Sequence, residues 1–133
     1  AVGWGLVRYE SGWRDISSLL SNSWVHTNDP GLRVMRSGGL VRVEMQLNGA
    51  SATSQVVVAA APTGFEVPAG SVAQSGVVSG ATGNPIAAAF WAHPDNWLRV
   101  LSASTTWKDS NQSSQCLYMP GPALPTSLPG TAA

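Results

Sequence analysis

The stretch GLRVMRSGGLVRVEMQLN, residues 31–48, decides the fold, because it predicts two strands joined by a tight turn. Apolar and polar side chains alternate on both sides of the turn with a period of two, which is typical of half-buried strands. The apolar set is Leu32, Val34, Leu40, Val41, Val43, Met45 and Leu47, and the polar set is Arg33, Arg36, Arg42, Glu44, Gln46 and Asn48. Gly38 and Gly39 supply the positive φ that a tight connection needs. We therefore expect a β-hairpin with one dry and one wet face.

Similar short segments run along the rest of the chain. Apolar runs at residues 55–61, 85–91, 97–101 and 114–119 predict strands, and residues 69–83 predict one thin strand. Shorter candidates lie at residues 2–8, 24–25 and 104–107, while residues 12–20 suit either a strand or one helical turn. Turn signals separate seven to nine such strands, and no convincing amphipathic helix is present. The pattern predicts an all-β fold with little helix, an antiparallel, jelly-roll-like β-sandwich.

The length of 133 residues fits a single domain. We assign residues 1–119 to the sandwich, with residues 1–10 as a lead-in from missing upstream sequence. Residues 120–133 contain four prolines, which lack the N–H that a ladder requires. This tail is therefore expected to be extended, outside any sheet, and either disordered or laid across a neighbour.

The charge balance excludes some classes of partner. Seven basic and seven acidic side chains cancel, so the chain lacks the positive surface that nucleic-acid binding requires. Charged residues make up 11% of the chain, so hydroxyls and amides must supply much of its solubility. No apolar run reaches the roughly 18 residues of a membrane span, and we expect no membrane insertion.

The sequence offers little for catalysis. Cys116 is the single cysteine, which excludes an internal disulfide, and we expect it to be buried near the end of a strand. His26 and His93 belong to no metal-spacing motif, so neither a metal nor a cofactor is predicted. No motif for a serine or cysteine nucleophile is found. We expect a non-enzymatic protein.

Six tryptophans are the feature that composition alone would not predict. An indole ring presents a flat apolar face and one N–H donor, which suits sugars. Three of the rings flank a polar tip at residues 93–96 and a polar loop at residues 108–111. The predicted glycan site consists of Trp91, His93, Asp95, Asn96, Trp97, Trp107, Lys108 and Asp109. The alternative is that these rings plug the ends of the sandwich.

A second group is assigned to packing or contact between subunits. It comprises the three N-terminal tryptophans and the arginines of the hairpin, which we place together on a polar strand face: Trp4, Trp13, Trp24, Arg33, Arg36 and Arg42. A solvated surface is the alternative for the arginines. A third possibility for the arginines is a salt bridge between chains or the binding of an anionic ligand.

The order of several motifs resembles a known family. SGWRDI at residues 11–16, NSW at 22–24, the hairpin, and PTGF at 62–65 followed by Pro68 resemble the C-terminal β-sandwich of tailed-bacteriophage tail fibre and minor tail proteins. The resemblance covers residues 11–68 by motif. The chain departs from the family pattern at Ala61, where leucine is usual, and at Glu66, where arginine is frequent.

The resemblance implies a receptor-binding tip on the virion, outside the cell, attached through its N-terminus to an upstream fibre shaft. It implies a homotrimer that adsorbs to a bacterial surface glycan. One alternative is structural, a domain that only trimerises or caps a fibre, or decorates a capsid. The other is a cell-wall polysaccharide depolymerase that uses two carboxylates as acid and base, drawn from Asp15, Glu66, Asp95 and Asp109.

Overall fold

A computed structural model describes residues 9–21, 31–46, 56–71, 73–77, 88–95, 97–102 and 114–133. These residues form nine strands: β1 (Arg14–Asp15), β2 (Leu32–Ser37), β3 (Leu40–Met45), β4 (Val56–Ala59), β5 (Ala73–Val77), β6 (Ala88–Ala92), β7 (Leu98–Ser102), β8 (Ser114–Tyr118) and β9 (Thr131–Ala132). Five strands form one sheet in the order β8-β3-β2-β1-β9, and four form another in the order β4-β7-β6-β5. Every pairing is antiparallel, so the predicted all-β class is confirmed.

The hairpin of β2 and β3 is confirmed in register. Ser37 pairs with Leu40 across a two-residue connection, and Gly38 takes a φ of 56° there. Leu32, Val34, Val41 and Val43 are fully buried, as the alternation predicted. The hairpin thus supplies the centre of the five-stranded sheet.

The structure contradicts the prediction that Arg36 lies on the polar face of this hairpin. Residues 33 and 36 differ by an odd number of positions, so a strand of period two points them to opposite faces. Arg36 lies on the same face as Val34 and is only 3% exposed, whereas Arg33 lies on the outer face. The assignment of Arg36 to the polar face with Arg33 and Arg42 was wrong.

The core lies between the two sheets. The described buried hydrophobic residues come from both of them and from the loop at residues 62–68: Ile16, Leu32, Val34, Val41, Val43, Met45, Ala59, Phe65, Val67, Ala92, Trp97, Leu98, Cys116 and Tyr118. Strand β8 contacts β5 and β6 of the other sheet. Cys116 is buried in β8, as predicted.

The ambiguous segment at residues 12–20 contains both of the predicted elements. Strand β1 is followed by a 3-10 helix at Ser17–Leu19, and the Asp15 carboxylate accepts a hydrogen bond from the Ser17 N–H at 2.9 Å. Within the described ranges, no helix has the length and hydrophobicity that crossing a membrane demands. The strand predictions at residues 2–8, 24–25 and 104–107 lie outside the described residues.

The prediction that the proline-rich tail stays outside any sheet was wrong. Residues 120–133, here named the C-terminal strap, run from β8 at one edge of the five-stranded sheet to β9 at the opposite edge. Thr131 and Ala132 pair with Asp15 and Arg14. They follow the last proline of the chain, Pro129, and therefore retain the N–H groups that pairing requires.

Candidate functional site

A shallow groove lies where the turn between β6 and β7 meets the segment that precedes β5. One wall is formed by His93, Pro94 and Asp95, and the other by residues 69–71. The groove has a volume of about 260 Å³. We name it the tip groove. It brings predicted site residues together with a segment that the sequence analysis did not assign to a site.

The His93 wall is a tight turn fixed by its own backbone. The His93 N–H donates to the Trp97 carbonyl at 2.8 Å, and the Asp95 N–H donates to His93 Nδ1 at 3.1 Å. Because Nδ1 accepts this bond, the neutral imidazole carries its proton on Nε2. The Asp95 carboxylate is largely exposed, and its Oδ2 lies 3.8 Å from His93 Nδ1.

The opposite wall is also a turn. The Ser71 N–H donates to the Pro68 carbonyl at 3.1 Å, and Gly70 takes a φ of 81°. Ala69, Gly70 and Ser71 are exposed. This wall adds a serine hydroxyl to the polar groups of the groove.

A buried hydrogen-bonded pair of aromatic side chains lies in the core. The Trp97 indole Nε1–H donates to the Tyr118 hydroxyl at 2.7 Å, and that hydroxyl donates to the Phe65 carbonyl. Burial raises the pKa of the Tyr118 phenol, with the neighbouring Cys116 and Glu66 acting in the same direction, so the hydroxyl stays protonated. The Trp97 ring is 2% exposed. Its assignment as a platform for sugars was wrong, because a sugar cannot stack on a ring inside the core.

Three of the remaining residues of the predicted glycan site lie in the part of the chain that the structure describes. Trp91 is half-buried on β6, where it pairs with Gln74 and Arg99 in the neighbouring strands. His93 and Asp95 line the tip groove. Asn96, Trp107, Lys108 and Asp109 lie outside the described residues.

Trp13, Arg33 and Arg42 meet on the outer face of the five-stranded sheet. The guanidinium carbon of Arg33 lies 4.3 Å from the centroid of the Trp13 ring, and that of Arg42 lies 5.7 Å from it. Arg33 also forms an ion pair with Glu44 at 3.0 Å. These contacts are made within one chain, and contact between subunits stays a prediction for them. Trp4 and Trp24 lie outside the described residues.

Arg36 lies on the opposite face of the sheet, where its side chain bonds several backbone segments. Its guanidinium donates to the carbonyls of Gly64, Ala123 at 2.8 Å, Gly121 at 3.4 Å and Gly38 at 3.1 Å. Two of these carbonyls belong to the C-terminal strap and one to the loop that leads to the tip groove. Sequence reasoning missed this role, although the even spacing from Val34 was the signal that could have revealed it.

The acids proposed for a depolymerase lie on separate elements. Asp15 lines a second groove, of about 370 Å³, with Ser17, Ser18, Gly130 and Thr131. Glu66 accepts a hydrogen bond from the Gly64 N–H at 2.7 Å, and Asp95 lies at the tip groove. In the part of the chain that the structure describes, no three metal-ligating side chains converge. Asp109 lies outside that part.

Burial also affects the cysteine. It raises the pKa of the Cys116 thiol, which two backbone hydrogen bonds lower to a smaller extent. A thiol that stays protonated is a poor nucleophile. Cys116 therefore acts as a packing residue of β8.

Comparison of the chain with known protein families, curated proteins and solved structures finds no match.

Proposed function

We propose that this domain is a non-enzymatic recognition module that binds a bacterial surface glycan through the tip groove. The groove is lined by an imidazole, a carboxylate and a serine on two turns that are closed by hydrogen bonds. This observation carries the proposal. Fixed polar groups of both types, donor and acceptor, complement sugar hydroxyls with little loss of entropy on binding.

The biological setting of the proposal comes from the motif order at residues 11–68. On that resemblance we propose that the domain lies at the tip of a phage tail fibre or minor tail protein, joined to an upstream shaft and assembled as a homotrimer. A shallow groove of this size makes few contacts with a sugar. Three copies on one particle would raise the effective affinity through multivalency.

Removal of the Asp95 carboxylate tests the proposal. In a glycan array and a whole-cell binding assay, we expect Asp95→Asn to weaken binding about tenfold, because a hydrogen bond to a charged group contributes about 1.5 kcal/mol or more. His93→Ala is expected to act in the same direction. Asp95 is exposed, so Asp95→Asn should retain the fold, whereas His93→Ala also removes the acceptor of the Asp95 N–H and therefore tests the turn together with the contact.

Glu10→Gln serves as the matched control, since it removes an exposed carboxylate that is bonded to Ser37 at the hairpin, on a different element. Binding by this variant should equal that of the unmodified chain. Equal binding by Asp95→Asn and His93→Ala, both folded, would show that the groove is not the site.

The structural alternative has its own support. Leu40, Leu117 and Met119 lie on the outer side of β3 and β8, and Leu117 and Met119 are 52% and 75% exposed. Exposed apolar side chains that cluster on one face favour contact with other chains. If the domain only trimerises or caps a fibre, Leu117→Ser with Met119→Ser should abolish the oligomer in light scattering, and no glycan should bind.

A further inference from the structure

A chain of hydrogen bonds runs through the core from the His93 wall of the tip groove to Phe65, in the segment that leads to the opposite wall. The His93 N–H donates to the Trp97 carbonyl, and the Trp97 indole N–H donates to the Tyr118 hydroxyl. That hydroxyl donates to the carbonyl of Phe65. Phe65 lies four residues before Ala69, where the second wall begins.

Tyr118 contributes from the other sheet. It belongs to β8 of the five-stranded sheet, whereas both walls belong to turns of the four-stranded sheet. Its hydroxyl reaches across the core and bonds Trp97, which follows the His93 wall, and Phe65, which precedes the other wall. No single turn could fix the separation of the two walls by itself, because each turn is closed by bonds within its own segment.

Both hydrogen-bonding functions of the Tyr118 hydroxyl are in use. Its oxygen accepts from Trp97 and its proton goes to Phe65, and the side chain is buried. A phenylalanine would fill almost the same volume but would leave one buried donor and one buried acceptor without a partner. The Tyr118→Phe substitution therefore removes the hydrogen bonds of the hydroxyl and keeps the packing of the ring.

We propose that Tyr118 is a positioning residue for the tip groove, whose hydroxyl holds the His93 wall and the Ser71 wall in a fixed relation. The ligand-binding part of this inference rests on the proposed function. The positional part does not, because it concerns the two turns in the absence of any ligand.

Amide hydrogen exchange of the Tyr118→Phe variant of the whole chain tests the positional part. The amides of Phe65, Ser71, His93 and Asp95 report on the walls, since each is engaged in a hydrogen bond. We expect their exchange to accelerate about tenfold relative to amides elsewhere, because the variant lowers the cost of local opening. The Ile16 and Gln46 amides, which bond Leu32 and Gly31, serve as internal references.

Val43→Ala is the matched control, because it removes buried side-chain volume from β3, the strand paired with β8, without touching the hydrogen-bonded chain. It should accelerate exchange at the walls and at the reference amides alike. If Tyr118→Phe gives that same uniform pattern, the tyrosine is only a core residue and the proposal is overturned. Should Tyr118→Phe not fold, Trp97→Phe breaks the same chain from its other end and is judged by the same criterion.

The glycan assay separates the two proposals. Faster exchange at the walls together with about tenfold weaker binding supports both. Faster exchange in a protein that binds no glycan in any form retains the positioning role and removes the proposed function. Unchanged exchange at the walls overturns the positioning role whatever the binding result.

Discussion

Arg33 and Arg36 lie on the same strand, three residues apart, and occupy opposite environments. On the outer face, Arg33 stacks on Trp13 and pairs with Glu44, and its side chain is 28% exposed. On the inner face, Arg36 is buried and donates to four backbone carbonyls. Within the described part of the chain, it forms no ion pair. Arginine therefore contacts other side chains on the outer face of the sheet, whereas on the inner face it holds backbone segments together through hydrogen bonds.

The difference shows that the inner face of the sheet needs hydrogen-bond donors. The loop containing Gly64 and the C-terminal strap bring carbonyls to the Arg36 guanidinium, and the prolines in both segments lack the N–H groups of a regular ladder. A guanidinium supplies five donors in a fixed geometry and can satisfy several carbonyls at once. On the outer face, Arg33 contacts one carboxylate and one aromatic ring instead, so fewer partners are lost when it is replaced.

The largest expected effect comes from Arg36→Met, which keeps much of the volume and removes all the donors. It should lower the free energy of unfolding by about 4 kcal/mol, because the buried Gly64 carbonyl and three partly buried carbonyls lose their donor. Urea denaturation followed by tryptophan fluorescence measures the change. A loss below about 1 kcal/mol would mean that water replaces the guanidinium and that the inner face is not special.

A smaller effect is expected where the strap packs on the loop. Gly64 has a φ of 85°, and a Cβ added there would lie 2.5 Å from Pro125. Gly64→Ala should cost about 3 kcal/mol, from strained φ and from displacement of the strap. Gly12→Ala is the control, since its φ is 64° with nothing within 4 Å of the added Cβ, and it should cost about 1 kcal/mol. Equal losses in thermal unfolding would show that the contact with Pro125 adds nothing.

The smallest effect belongs to Arg33→Met. The substitution removes a cation–π contact and the ion-pair partner of Glu44, whose side chain is only 9% exposed but keeps a hydrogen bond from Gln115, so it should cost about 2 kcal/mol. Measured beside Arg36→Met in the same urea series, it gives the comparison directly. A loss equal to that of Arg36→Met would remove the distinction between the two faces.

The sequence was sufficient where a local pattern determines the structure. The period of two and the paired glycines predicted the hairpin, and turn signals predicted most of the other described strands. The polar tip at His93 and Asp95 was also found from the sequence. Such features depend on residues that are neighbours along the chain.

Features that depend on distant contacts were missed. The strap joins β1 through pairing between residues 14–15 and 131–132, and the prolines of the strap argued against any pairing. The burial of Trp97 follows from its partner Tyr118, which lies 21 positions away. Nothing local distinguishes an indole inside the core from one at its surface.

The short strand β1 has a further consequence for how the chain folds. Its two residues are covered by β2 on one side and by β9 on the other. Until residue 132 has left the ribosome, the unpaired backbone of β1 remains open to strands of other nascent chains. This edge of the five-stranded sheet is therefore closed only after residues 131 and 132 have been synthesised.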